Sequence, residues 1–230
     1  MFFSFLYGKG RNIIYTAVIV LAFTHVLRGK MWPREYINLR FMTHIILAGP
    51  TNSGKSTQAK RLQEAFPDTY VCVDSGELLR NRSKENDAIG NVLREYIARG
   101  EWAPQEITLP IIWEKIKEII AQGRFCALTF ARVSEEAASY LKSIFSHENV
   151  VVIMLDNISE ETIIKRARLR KRSDDEIDIL QKKYAAYCDV YKTRLALWRE
   201  QGYHAVHVDA SKTEDEVFET LVGIIQKSTK

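Results

Sequence analysis

The stretch GPTNSGKST, residues 49–57, combines residue types that hold phosphate groups. Gly49 is followed after four free positions by Gly54, Lys55 and Ser56, which fits the pattern GxxxxGK[ST]. In such a loop the glycines let backbone N–H groups surround phosphate oxygens at the start of a helix, the lysine reaches the terminal phosphates and the hydroxyl binds Mg²⁺. Average residue frequencies give a chance match in roughly one percent of chains of this length. The stretch therefore predicts a site for the phosphates of ATP, with Ser56 as the Mg²⁺ ligand.

The segments around this loop alternate between short apolar runs and longer amphipathic stretches. This alternation is typical of a parallel sheet covered by helices on both faces, which is a three-layer α/β sandwich. Five strands are predicted, at His44 to Ala48, Tyr70 to Val73, Phe125 to Thr129, Val150 to Leu155 and His204 to Val208. Helices are predicted to begin near Gly54, Ser75, Asp87, Pro104, Ser134, Ser159, Asp174 and Thr213. The sequence therefore predicts an α/β fold with a five-stranded parallel sheet.

The composition is that of an ordinary globular protein. The chain has 230 residues, of which 46% are hydrophobic and 27% charged, and a net charge of +4 gives no reason to expect nucleic-acid binding. Cys72, Cys126 and Cys188 are far apart and form no CxxC pair, so neither disulfides nor a zinc site are expected. Buried structural thiols and a cytoplasmic location are predicted instead.

Residues 1–41 differ in character from the rest of the chain. Residues 13–27 form an apolar run whose helix would be about 22 Å long, shorter than the roughly 30 Å hydrocarbon core of a membrane. Three interpretations stay open: a dispensable extension before Met42, a membrane or targeting segment, and a segment packed on the domain. Membrane contact through residues 13–27 is not favoured. We expect an extension over residues 1–41 and one catalytic domain over residues 42–230.

Five further segments follow the phosphate loop, and the order in which they occur is informative. They are DSGELLRNR (74–82), ARGEWAPQEI (98–107), TFAR (129–132), RARLRKRSDDE (166–176) and HVDASKTEDEVF (207–218). With these segments, the chain from Met42 to Ile225 resembles the adenylate kinase family of nucleoside monophosphate kinases. The resemblance implies a P-loop kinase fold with a helical acceptor-binding flap and a very short lid. It also implies a monomer that transfers the γ-phosphoryl group of ATP to a nucleoside monophosphate, with AMP as the favoured acceptor.

The resemblance also assigns residues to the two nucleotides. For ATP it implies binding by Gly49, Asn52, Ser53, Gly54, Lys55, Ser56, Thr57, Arg166, Arg170 and Lys212. For the acceptor it implies binding by Ser75, Arg80, Glu101, Trp102, Ala103, Arg132, Glu136, Arg172 and Lys183. The catalytic set would be Lys55, Arg132, Arg166, Arg170 and Arg172. Guanidinium groups suit this chemistry because they bind phosphate oxygens bidentately and neutralise the charge of the transition state.

Three departures from the family pattern bear on activity. Leu128 stands where the family has an aspartate that usually holds Mg²⁺ through water. Only one residue separates Arg170 from Arg172, so the lid is shorter than in the family. Glu136 and Lys183 replace an amide and a guanidinium. An ionised glutamate only accepts hydrogen bonds, so Glu136 would accept from the exocyclic amine of adenine or cytosine, which keeps CMP and deoxynucleotides as alternatives to AMP.

Two other functions stay open at this point. An aspartate at the end of the second strand, here Asp74, can bind or deprotonate the acceptor hydroxyl in P-loop kinases that act on small alcohols. The second alternative is a degenerate nucleotide-binding module with little activity, which Leu128 and the short lid would support.

Overall fold

The computed structural model describes residues 43–130, 134–145, 150–170 and 176–228, apart from the side chains of residues 170 and 190–194. Within these residues, one sheet contains the strands β1 His44–Ala48, β2 Tyr70–Asp74, β3 Phe125–Phe130, β4 Val150–Asp156 and β5 His204–Asp209. All neighbouring strands are parallel, in the order β2-β3-β1-β4-β5. The predicted five-stranded parallel sheet is confirmed, and strand ends differ from the prediction by one residue at most.

Eight helices lie in the described part of the chain. They are α1 Lys55–Ala65, α2 Ser75–Arg82, α3 Ala88–Arg99, α4 Gln105–Ala121, α5 Glu135–Ile144, α6 Glu160–Arg170, α7 Ile177–Glu200 and α8 Glu214–Ser228. Seven begin within one residue of the predicted position, and α7 begins three residues after Asp174. Three helices, α2 to α4, fill the connection from β2 to β3, where a simple βαβ unit has one. This connection contains residues 101–103, which the resemblance assigns to the acceptor-binding flap.

Side chains at the helix starts explain where several helices begin. Asp74 accepts a hydrogen bond from Glu77 N at 3.1 Å, and Asp87 accepts one from Gly90 N at 2.7 Å. Ser134 does the same for α5 by accepting from Ala137 N at 3.2 Å. Each bond satisfies an N–H group that the helix itself leaves unpaired. The caps therefore fix the residues at which these three helices begin.

The core lies on both faces of the sheet. The central strand β1 is buried along its whole length, and so are all residues of β4. Both strands consist mostly of consecutive apolar residues, because helices cover both faces of a parallel sheet and successive side chains are therefore all buried. Leu128 of β3 is fully buried in the same core, next to its register partners Ile46 and Val73.

The amino ends of the strands bury neutral polar groups. His44 Nδ1 accepts a hydrogen bond from Cys126 N at 3.1 Å, and the imidazole lies between the rings of Phe125 and Phe145. Burial lowers the pKa of His44 to about 4 and raises the pKa of the Cys126 thiol to about 12. The prediction of buried thiols holds for Cys126 and is wrong for Cys188, which is exposed on α7.

The extension formed by residues 1–41, including residues 13–27, lies outside the described residues. Across the described ranges, no helix combines the length and the apolar character that crossing a membrane would require.

Candidate active site

A cleft of about 1000 Å³ opens at the carboxyl ends of the strands. Its walls come from the loop after β1, the ends of β2 and β3, helices α2 to α4, and the segment after β5. This is the edge at which open parallel sheets bind ligands. We call residues 49–57, Arg166 and residues 210–212 the donor half of the cleft, and residues 74–80 and 97–108 the acceptor half.

The loop from β1 to α1 depends on backbone conformations that side chains disfavour. Gly49, Asn52 and Gly54 have φ values of 146°, 57° and 97°. A Cβ on Gly49 would also lie 2.3 Å from the carbonyl oxygen of Leu155 on the neighbouring strand. Glycine at position 49 is therefore required by both its φ and its contact with β4.

Helix α1 begins without a side-chain cap. Gly54 is its N-cap residue, and its first turn contains no acidic side chain. Its N–H groups and the positive end of its dipole therefore face the cleft without a competing carboxylate, which is the arrangement that binds phosphate.

The Lys55 ammonium lies at the centre of the loop. Its Nζ donates to Gly49 O at 3.0 Å and to Pro50 O at 2.5 Å, and it lies 3.5 Å from Ser53 Oγ. The side chain is nearly buried, and Ser56 and Thr57 line the cleft beside it. The loop therefore collects a fixed cation, backbone N–H groups and two hydroxyls at one place.

Arg166 connects the loop to the other edge of the donor half. Its Nη1 donates to Asn52 O at 3.3 Å, and its Nη2 donates to Ala210 O at 3.1 Å. Burial lowers its pKa, but a guanidinium stays charged in proteins. Lys212 lines the cleft close by. A second cation is thus held by two carbonyl oxygens on the side of the cleft where the sequence places ATP.

In the acceptor half, Asp74 and Arg80 meet at Gly76. A Cβ on Gly76 would lie 3.1 Å from Arg80 Nη1 and 3.4 Å from Asp74 Oδ1. Ser75 and Lys183 line the same cleft, and so do Trp102 and Ala103 of the flap. Helix α2 thus presents a guanidinium six residues after the carboxylate that caps it.

Gln105 is a cleft residue that the sequence did not single out. It is the first residue of α4, is 9% exposed and lines the cleft. Its Nε2 lies 2.8 Å from Ser134 Oγ and 2.7 Å from Glu136 Oε2. Glu136 itself is exposed and is not among the residues lining the cleft. A glutamine after Pro104 carries no signal of its own, because its partners lie about 30 residues further along the chain.

Several predicted residues stand apart from this arrangement. Arg132 and Arg172 lie outside the described residues, as does the side chain of Arg170. Glu101 is exposed, forms an ion pair with Arg99 at 3.2 Å and is not among the cleft-lining residues. The structure therefore places the loop, Arg166, Arg80 and most of the flap around one cleft, and gives Glu101 and Glu136 positions outside its wall.

The cleft offers oxygen ligands of the kind that a magnesium ion binds. Ser56 and Asp74 line the same cleft, and Mg²⁺ prefers a few hydroxyl or carboxylate oxygens from the protein together with phosphates and water. Among the described residues, no group of three or more His, Cys, Asp or Glu side chains forms an all-protein metal site. Leu128 is absent from the cleft wall, and of the three aspartates that end described strands, Asp74, Asp156 and Asp209, it is Asp74 that lines the cleft.

Known proteins resemble this chain over most of its length. The adenylate kinase family model matches residues 47–203. UMP-CMP kinase of Homo sapiens is 30% identical over 79% of this chain and 95% of its own length. Uridylate kinase of Schizosaccharomyces pombe is 29% identical with the same coverage, and adenylate kinase of Parvibaculum lavamentivorans is 28% identical over 80% of this chain and 93% of its own length. The chain therefore belongs to the adenylate kinase family and is a nucleoside monophosphate kinase that transfers a phosphoryl group from ATP.

Proposed function

We propose that the chain reversibly transfers the γ-phosphoryl group of ATP to AMP or CMP. One observation carries the proposal: a single cleft contains the loop that holds Lys55 in its donor half and the Arg80 guanidinium with Asp74 in its acceptor half. The resemblance of the flap segments favours AMP, and the name UMP-CMP kinase of a relative favours CMP as the second acceptor. Both bases carry an exocyclic amine beside a ring nitrogen that accepts hydrogen bonds.

The cations of the cleft account for the chemistry. In the donor half, Lys55 and Arg166 reduce the charge on the phosphates of ATP, and in the acceptor half Arg80 holds the phosphate of the monophosphate. Opposed cations bring two anionic groups together and stabilise the charge that spreads over the transferred phosphoryl oxygens. We propose that Arg132, Arg170 and Arg172 complete the catalytic set with Lys55 and Arg166.

We propose that Ser56 and Asp74 hold the divalent metal that enzymes of this family use with ATP. When bound, Mg²⁺ neutralises charge on the phosphate oxygens. Asp74 is fixed for such a role because its Oδ1 caps α2 by accepting from Glu77 N at 3.1 Å. The adenylate kinase family match and the Arg80 guanidinium in the acceptor half weigh against the small-alcohol kinase.

The test is an assay of nucleoside diphosphate formation from Mg-ATP and AMP, CMP, UMP, dAMP, GMP or shikimate. We expect turnover with AMP or CMP. Product from shikimate alone would identify the hydroxyl kinase, and ATP binding without turnover of any acceptor would identify the degenerate module. We also propose that residues 42–230 suffice for activity, because the family match begins at residue 47. The full chain and residues 42–230 should then give the same kcat.

A further inference from the structure

The amide of Gln105 has only one orientation that satisfies its neighbours. The carboxylate of Glu136 offers acceptor atoms alone, so the amide atom 2.7 Å from Glu136 Oε2 must be the NH₂ group. The same NH₂ group lies 2.8 Å from Ser134 Oγ, so both of its hydrogens have partners. The side-chain carbonyl Oε1 is thereby fixed as the part of the amide that is left to accept hydrogen bonds.

The partners of Gln105 are themselves held in place by the start of α5. Ser134 is the N-cap residue of this helix, and its Oγ accepts from Ala137 N at 3.2 Å. Glu136 lies in the first turn of the helix, where a negative charge is stabilised by the helix dipole. Ser134 Oγ also lies 3.0 Å from Glu136 Oε2 and 3.1 Å from Gln105 Oε1. The three side chains form a closed triangle, and Gln105 is the member that lines the cleft.

We propose that Gln105 selects the acceptor base by accepting a hydrogen bond from its exocyclic amine, and that Glu136 and Ser134 are positioning residues that orient the Gln105 amide. The inference rests on the proposed function, since it concerns the acceptor of that reaction. The carbonyl Oε1 has a second lone pair beside the one that Ser134 approaches. An amine at C4 of cytosine or C6 of adenine can donate to it.

The same geometry disfavours bases that carry a carbonyl at that position. Uracil and hypoxanthine differ from cytosine and adenine in having an oxygen acceptor in place of the amine. Two acceptors that face each other cannot form a hydrogen bond, and a site built around a polar contact rejects such analogues strongly. The pairs to compare are CMP with UMP, and AMP with IMP. In both analogues the ring nitrogen next to this oxygen also changes from an acceptor to an N–H donor, so it is the loss of the preference on substitution of Gln105 that assigns the contact to its amide.

The experiment measures kcat/KM for both members of each pair. For the pair that the enzyme uses, wild type should prefer the amine-bearing member by at least about tenfold, which corresponds to about one hydrogen bond. Gln105→Met keeps the length of the side chain and removes the amide, so the preference should fall to about one. Glu136→Gln should also lower the preference. A glutamine at position 136 can donate a hydrogen bond to Gln105 Oε1, so the Gln105 amide is no longer held in one orientation and can flip. Its effect should lie in KM for the amine-bearing acceptor, with kcat within about twofold of wild type.

Glu135→Gln is the matched control, because Glu135 is the exposed neighbour in the same helical turn. It should keep the wild-type preference. Equal use of both members of a pair by wild type, or an unchanged preference in Gln105→Met, would overturn the role of Gln105. An unchanged preference in Glu136→Gln would overturn the positioning role. Formation of no nucleoside diphosphate from any monophosphate would instead refute the proposed function, and the inference with it.

Discussion

The two halves of the cleft differ in whether backbone groups or side chains form most of their contacts. In the donor half, backbone groups predominate: the N–H groups at the start of α1 face the cleft, and carbonyl oxygens hold the ammonium of Lys55 and the guanidinium of Arg166. In the acceptor half, side chains predominate, and Gln105 is oriented by two residues from a different helix. Because backbone groups do most of the binding in the donor half, substitutions there have little effect on which nucleotide binds. In the acceptor half, single side-chain substitutions can change the base preference.

This difference also decides which half of the cleft can be recognised from the sequence. A site made of backbone groups needs glycine or asparagine where φ is positive, and glycine where another strand is close, so its residues occur at fixed spacing. A site made of side chains from several elements needs only that each element present one suitable residue. The donor half is therefore marked by a motif, and the acceptor half is marked by scattered single residues.

Substitution of Lys55 should give the largest effect. Lys55→Met removes the cation at the centre of the loop, and we expect kcat/KM to fall about a thousandfold, or about 4 kcal/mol, with every acceptor. Steady-state rates with AMP, CMP and UMP would measure it. Lys115→Met serves as control, because Lys115 forms only an exposed ion pair with Glu118 on α4 and should leave activity unchanged. A loss confined to one acceptor would contradict the separation of the two halves.

An alanine at position 49 tests the backbone of the donor half. Gly49→Ala forces an alanine to φ 146° and places its Cβ 2.3 Å from Leu155 O, so we expect unfolding free energy to fall by roughly 3 kcal/mol. Urea unfolding would measure the change. Gly223→Ala is the matched control in α8, where an added Cβ meets nothing within 4 Å, and it should stabilise the protein by about 0.5–1 kcal/mol. Equal stabilities of the two variants would contradict the steric requirement at Gly49.

The sequence predicts the fold better than it predicts the acceptor site. All five strands and the helix starts can be predicted from the sequence, because apolar periodicity and capping residues are local signals. The contact between Gln105 and Glu136 joins residues 31 positions apart, and nothing local to either residue indicates it. Position 128 shows the same limit: the family pattern marks the residue as a lost metal partner, but only the packing shows that Leu128 fills the core between Ile46 and Val73. An aspartate there would be a buried charge, which is costly without a partner.

The smallest effect is expected from the same glycine-to-alanine change in the acceptor half. Gly76→Ala adds a Cβ 3.1 Å from Arg80 Nη1, the end of a flexible side chain, at a helical position with ordinary φ. We therefore expect stability within about 1 kcal/mol of wild type, because a gain in helix propensity offsets the displaced side chain. The KM of the acceptor should rise about threefold, since Arg80 is displaced from its position, whereas the KM of ATP should not change.

Steady-state kinetics with each substrate varied in turn would measure both constants. Gly223→Ala again serves as control, and neither constant should change in it. An unchanged acceptor KM in Gly76→Ala would show that Arg80 does not bind the acceptor from its position over Gly76. An equal rise in the KM of ATP would show that α2 serves both nucleotides, and the cleft would then have to be understood as one site with a shared cation in place of two halves.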